Sequence, residues 1–237
     1  MTKGREPENS SWYDTFYADG GWARNIQAEV QRLKSLLFDK IDLALGRHVI
    51  DIGCGMGVQA EAIRQIGYKV TGVDFSESGI AAAKRDFPQV SFVRNDAADL
   101  DYRDDHFDMV FLHGMSWYHY ELDDVCLQRT KEFARMVKPG GYIALLIQTD
   151  FSGGRNPDSG VRFNKLSAYK RIFSQLGEIV LCTDWDGISL TDDKQAVGKR
   201  NIVIVAQKQE PKPEPKKTQT KTAKKQKSMV DTDDNSR

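Results

Sequence analysis

Residues 48–57, HVIDIGCGMG, constrain this chain more than any other stretch. Val49, Ile50 and Ile52 are β-branched and apolar in close succession, which suits a strand buried on both faces of a parallel sheet. Gly53, Gly55 and Gly57 follow at alternate positions, and with no Cβ they let the backbone turn tightly and approach a ligand. From Val58 the apolar positions Ala62, Ile63 and Ile66 fall at helical spacing, so the loop opens onto a helix N-terminus with free N–H groups. Strand, tight loop and helix in this order make a nucleotide-type pocket. A glycine turn without a ligand is the competing reading, because a glycine run alone is a weak signal.

The next strand, Lys69 to Val73, ends in Asp74, about 20 residues after the first glycine. In an open α/β sheet that position lies beside the loop, at the carboxyl end of the neighbouring strand, where a carboxylate can accept both ribose hydroxyls. A dinucleotide cofactor would use the same device, but its G-x-G-x-x-G spacing needs glycine at position 58, where this chain has Val58.

The run Asp51-Ile-Gly53-Cys-Gly55-Met-Gly57, then Val-Asp74-Phe-Ser, then Asn95-Asp96-Ala97, then Lys138-Pro-Gly-Gly141 resembles the S-adenosylmethionine-dependent class I methyltransferases, motif by motif and in order. The resemblance covers residues 40–208. It implies a Rossmann-like, doubly wound α/β fold with a seven-stranded sheet, mostly parallel with one antiparallel strand and helices on both faces. It implies S-adenosyl-L-methionine as cofactor, S-adenosyl-L-homocysteine as product, and no metal. Carried over residue by residue, Asp51, Gly53, Gly55 and Gly57 form the cofactor loop, and Asp74 and Phe75 flank the ribose. The Asp96 carboxylate takes the adenine amine while the Ala97 N–H meets a ring nitrogen. From spacing alone, Asp96 could equally be a turn residue.

The N-terminal segment SWYDTFYADGGW crowds Trp12, Tyr13, Phe16, Tyr17 and Trp22 together. One reading is a flap stapled to the core. The resemblance supplies another, a cover over the cofactor's methionine end, with Tyr13, Tyr17 and Arg24 as contacts. An aromatic face would attract the sulfonium by about 1–2 kcal/mol if desolvated. Ile26, Val30, Leu33, Leu36, Leu37 and Ile41 then recur at helical spacing, predicting an amphipathic helix over 23–45 that serves packing. Ser76 caps a later helix, with Glu77 in its first turn.

Phe107 to Leu112 reads as a buried strand running into His113-Gly-Met-Ser-Trp-Tyr-His-Tyr120. Ligands sit outside the carboxyl ends of such strands, so this loop faces the reacting groups. His113, Tyr118 and His119 are the candidate catalytic residues, suited to acid-base or orienting work, and His113 is a candidate cofactor contact as well. The alternative is that the aromatics pack the next helix and the histidines are solvated. No Asn-Pro-Pro-Tyr or Asp-Pro-Pro-Tyr follows this strand, which disfavours methylation of exocyclic amines of DNA bases.

Further on, a helix is expected over 122–137, a Pro139-Gly-Gly turn into strand 142–148, a helix over 165–176, and strands at 179–185 and 201–206. The connection between the last two is long for a hairpin, and Asp184, Trp185 and Asp186 are candidate substrate contacts. Arg155 and Arg162 either meet an anionic substrate group or are simply solvated.

The 237 residues hold one α/β domain: a flap over 1–22, partly disordered, the domain over 23–208, and a disordered Lys/Pro-rich tail over 209–237. From Lys208 on, eight lysines and Arg237 face five carboxylates, net +4, so the body carries −4 and makes a poor nucleic-acid clamp. Three scattered cysteines, Cys54, Cys126 and Cys182, suggest neither disulfides nor a zinc site. With no long apolar run or secretory leader, a soluble cytoplasmic protein is expected. A small-molecule acceptor, methylated on oxygen or nitrogen, is the expected substrate. RNA or protein methylation, nicotinamide chemistry and a non-catalytic cofactor-binding relative are the alternatives.

Overall fold

The computed structural model describes residues 10–21, 25–44, 46–120, 122–156 and 161–210. Seven strands form one sheet in the order β3-β2-β1-β4-β5-β7-β6, from β1 (His48–Ile52), β2 (Lys69–Asp74), β3 (Ser91–Arg94), β4 (Phe107–His113), β5 (Val137–Asp150), β6 (Glu178–Asp184) and β7 (Lys199–Gln207). All are parallel except β7, which runs antiparallel to both β5 and β6. The strand order reverses between β1 and β4, and a doubly wound sheet opens a crevice there.

Alternation along the central strands feeds a core on each face. Ile50, Ile52, Val110, Leu112, Ile143 and Leu145 point to the face covered by α5 (Asp124–Arg135) and α6 (Leu166–Phe173). Val49, Met109, Phe111, Ala144 and Leu146 point to the other, covered by α2 (Ile26–Leu33), α3 (Val58–Ile66) and α4 (Glu77–Asp86). Val49, Ile50 and Ile52 are fully buried, and each such side chain contributes about 1.5–3 kcal/mol of transfer free energy.

Several boundaries differ from those the sequence predicts, each for a local reason. The aromatic segment folds as a helix, α1 (Ser10–Ala18), whose Asp14 carboxylate accepts from the Ser76 hydroxyl at 2.6 Å and the Ser78 N–H at 3.2 Å. It is thus docked on the N-terminus of α4. The helix expected over 23–45 starts at Ile26, capped by the Asn25 side chain, and ends in a π-helical turn, Lys34–Phe38. Lys138-Pro-Gly-Gly141 is carried inside β5 rather than forming a turn before it. A register shift between Phe107 and Met109 absorbs it, and the Gly140 N–H donates to the Lys208 carbonyl at 2.9 Å. Ser76 caps α4 as expected, accepting from the Gly79 N–H at 3.0 Å.

Arg24 and Trp22 lie outside the described residues, as do 1–9 and 211–237, so the flap's first residues and nearly all of the expected tail are not described. No described helix is long and apolar enough to cross a membrane.

Candidate active site

At the carboxyl ends of β1, β2 and β4 lies a cavity of about 1100 Å³. Gly53 and Gly55 line it, both at positive φ (79° and 51°). A Cβ on Gly53 would project into open space, whereas one on Gly55 would lie 2.6 Å from the Tyr17 hydroxyl, so α1 closes directly over the loop. Gly57 behaves differently from expectation. It does not line the cavity; its φ of +80° caps α3, and a Cβ there would meet the Phe92 ring at 2.5 Å. Its missing side chain serves helix-to-sheet packing instead of ligand approach.

Asp74 anchors the loop. Its Oδ2 accepts from the Gly55 N–H at 2.8 Å and its Oδ1 from the Ser76 N–H at 2.9 Å. Burial raises its pKa above the ordinary value while those two N–H groups pull it back. Phe75 lines the cavity next to it, with Tyr13 packed edge-on at 5.6 Å. Tyr13 and Tyr17 both line the cavity. On β3's exit, Asp96 and Ala97 line the same end, and the Asp96 Oδ1 accepts from the Ala98 N–H at 2.8 Å. Asp96 is therefore a turn residue and a cavity residue at once.

Asp51 sits beneath the loop, not on the cavity wall. Burial, reinforced by the charge of Asp74, pushes its carboxyl up to about 8, with the Ala60 N–H holding it back. Its Oδ2 is buried without a partner. Leaving such an acceptor unmet costs about 1–3 kcal/mol.

The segment after β4 reaches the cavity through His113, Trp117, His119 and Tyr120. His113 stacks between Phe111 and Trp185, with ring centroids 6.3 Å from each. Burial lowers the His119 pKa below the ordinary imidazole value, which leaves a neutral base at neutral pH. Tyr118, expected among the catalytic residues, does not belong there. It points into the core, 1% exposed, its hydroxyl 2.9 Å from the Thr130 Oγ1, and burial raises its pKa further. The short 3₁₀ turn Ser116–His119 carries neighbouring side chains to opposite sides.

Other expectations separate likewise. Trp185 lines the cavity, but Asp184 is buried, accepting from the Asp186 and Ile188 N–H groups and pairing with Arg200, and Asp186 is exposed. Arg155 and Arg162 pair as an isolated bridge, and neither lines the cavity. The helix α2, expected only to pack, contributes Glu29 and Arg32 to the wall, and α3 contributes Gln59. Charged residues set at i and i+3 beside an apolar stripe were the available signal, and a weak one, since solvated faces show the same pattern.

The fit of an S-adenosyl ligand rests on three observations: a glycine loop open to the cavity, a carboxylate at the end of β2 and a second just after β3.

Comparison with known proteins bears on the fold and on the central strands. The methyltransferase-domain family matches residues 49–141. A demethylmenaquinone methyltransferase of Paenarthrobacter aurescens is 29% identical over 119 residues, 49% of this chain and 45% of that protein. The O-methyltransferase resE of Aspergillus sclerotiorum is 25% identical over 191 residues, 77% of this chain and 71% of that protein. The chain spans about half the length of the first curated relatives it matches. Among solved structures, the [4+2]-cyclase SpnF has a TM-score of 0.66 at 19% identity, covering 88% of this chain and all of that one. Phosphoethanolamine N-methyltransferase 2 of Haemonchus contortus, solved with S-adenosyl-L-methionine, has a TM-score of 0.60 at 17% identity, covering 87% and 59%. These likenesses show the fold alone; that one such fold is a cyclase makes the point. The match to the methyltransferase-domain family thus runs over residues 49–141, from β1 into the start of β5.

Proposed function

We propose that the protein transfers a methyl group from S-adenosyl-L-methionine to an oxygen or nitrogen of a small-molecule acceptor. The observation that carries this reading is one cavity that joins the glycine loop, Asp74 and Asp96 at one end to His113, His119 and Trp185 at the other. Its volume exceeds the 300–1,000 Å³ or so of an ordinary single-ligand pocket and has room for two small ligands. Curated relatives named as small-molecule methyltransferases support the same acceptor class.

Asp74 would accept the ribose hydroxyls with the lone pairs that Gly55 and Ser76 leave over, and Asp96 with Ala97 would take the adenine edge. Tyr13 and Tyr17 would cover the ligand from α1 and exclude water. The bound cofactor supplies an activated methyl group, so the chain's main contribution is orientation. For a hydroxyl acceptor a base is needed, and His119 suits it, neutral and at the cavity wall, with His113 as the second candidate.

A methyl-label transfer assay on lysate separated by size tests the reading. Label appearing in the low-mass fraction is the expected result; label confined to RNA or protein would overturn the acceptor class.

A further inference from the structure

The cavity is also lined by side chains whose polar groups the cofactor reading leaves unused. Arg32 on α2, Gln59 in the first turn of α3 and Trp185 after β6 all line it. Each carries a donor nitrogen that is buried and has no acceptor: Arg32 Nε, Gln59 Nε2 and Trp185 Nε1. Gln59 as a whole is more than nine-tenths buried. Among the described residues only one other buried side-chain polar atom lacks a partner, Asp51 Oδ2 under the glycine loop. Buried polar groups in folded proteins are overwhelmingly satisfied, so three orphaned donors lining one cavity, two of them in contact, mark places where a ligand brings the acceptors.

The scaffold holds these groups firmly. The Arg32 guanidinium lies over the Trp185 ring, Cζ 4.2 Å from its centroid, and its outer nitrogen pairs with Glu29. The Trp185 backbone N–H donates to the Asn201 carbonyl at 3.1 Å, and the indole also stacks on His113. Guanidinium and indole nitrogens are donors only. Glu29 neutralises the arginine's charge but leaves its Nε–H unanswered, so the wall asks for lone pairs more than for net charge.

We propose that this wall recognises the methyl acceptor by a proton-free oxygen, of a carboxylate or a conjugated carbonyl, held by Arg32, Gln59 and Trp185. An acceptor presenting an ammonium group to this wall is excluded by the same chemistry. The assignment rests on the methyl-transfer reading of the cavity and names the substrate class for it.

The test titrates the full chain, saturated with S-adenosylhomocysteine, with benzoate, 1,4-naphthoquinone and benzylamine in a calorimeter. Benzoate or the quinone should bind at least about tenfold more tightly than benzylamine, and whichever binds identifies carboxylate or carbonyl. Gln59→Leu, which removes the N–H at little cost in volume, and Trp185→Phe, which removes the indole N–H but keeps an aromatic face, should each weaken that probe about fivefold or more and leave the affinity for S-adenosylhomocysteine unchanged. Gln59→Glu, which turns a donor into an acceptor, should shift preference toward benzylamine. Benzylamine binding as well as the oxygen probes, neither oxygen probe binding, or unchanged probe affinity in variants that still bind S-adenosylhomocysteine would each overturn the assignment alone. Where a variant loses S-adenosylhomocysteine, the ranking of probes on the unaltered chain decides. Failure of the unaltered chain to bind S-adenosylhomocysteine would instead overturn the methyl-transfer reading beneath it.

Discussion

The end of the cavity beside β2 and β3 is walled by backbone and by carboxylates that backbone N–H groups hold in place, with Gly55 and Ser76 both donating to Asp74. Elsewhere the cavity is walled by side chains brought from separate parts of the chain: Glu29, Arg32, Gln59, His119 and Trp185. The first end is built from short contiguous segments and fixes a ligand by main-chain geometry. The rest can be rewritten residue by residue without disturbing the sheet, which is where a scaffold keeps its specificity. Binding of the cofactor and choice of the acceptor should therefore separate on mutation.

The largest expected effect is at the first end. Asp74→Ala should weaken S-adenosylhomocysteine about a hundredfold by calorimetry and lower the melting temperature as well. It removes a ribose acceptor and orphans two backbone N–H groups, each costing about 1–3 kcal/mol. An unchanged affinity would break the comparison. Next, for a hydroxyl acceptor, His119→Gln should cut kcat by about a hundredfold while leaving S-adenosylhomocysteine affinity intact. Because burial lowers the His119 pKa, the unaltered enzyme's acid limb should fall below the pH at which an ordinary histidine titrates, and the variant should lack that limb.

Asp51→Asn sharpens the contrast further, through stability. The folded carboxyl titrates near 8 against an ordinary 3.8, so the folded state retains a proton that the unfolded chain releases. That contribution to stability is full below the unfolded pKa and is lost as pH rises toward 8. Replacing Asp51 should thus raise the melting temperature more at about pH 8 than at about pH 5; an equal change at both would contradict the assignment. Smallest is Tyr118→Phe, which removes the bond to Thr130 and should cost about 1 kcal/mol of stability with kcat unchanged.

Most of the sheet and the glycine-loop end of the cavity were legible in the sequence, because the alternation of Val49 and Ile50, the glycine run and the acids at the exits of β2 and β3 are local patterns. What was missed depended on rotation or distance. Gly57 and Tyr118 have residue types that suit a site, yet helix capping against Phe92 and a 3₁₀ turn face them into the core. Arg32 and Gln59 sit on helices whose apolar stripes advertise only packing. Their place in the cavity wall emerges only when α2 packs on α3 and Arg32 lies over Trp185, juxtapositions that no window of sequence contains.

A crystal structure of the chain soaked with S-adenosylhomocysteine tests the cofactor site most directly. The ribose hydroxyls should lie on Asp74, the adenine edge at Asp96 and Ala97, and the amino-acid arm over Gly53 and Gly55 toward His113. Density for the ligand elsewhere, or a crevice left empty at saturating ligand, would contradict that assignment.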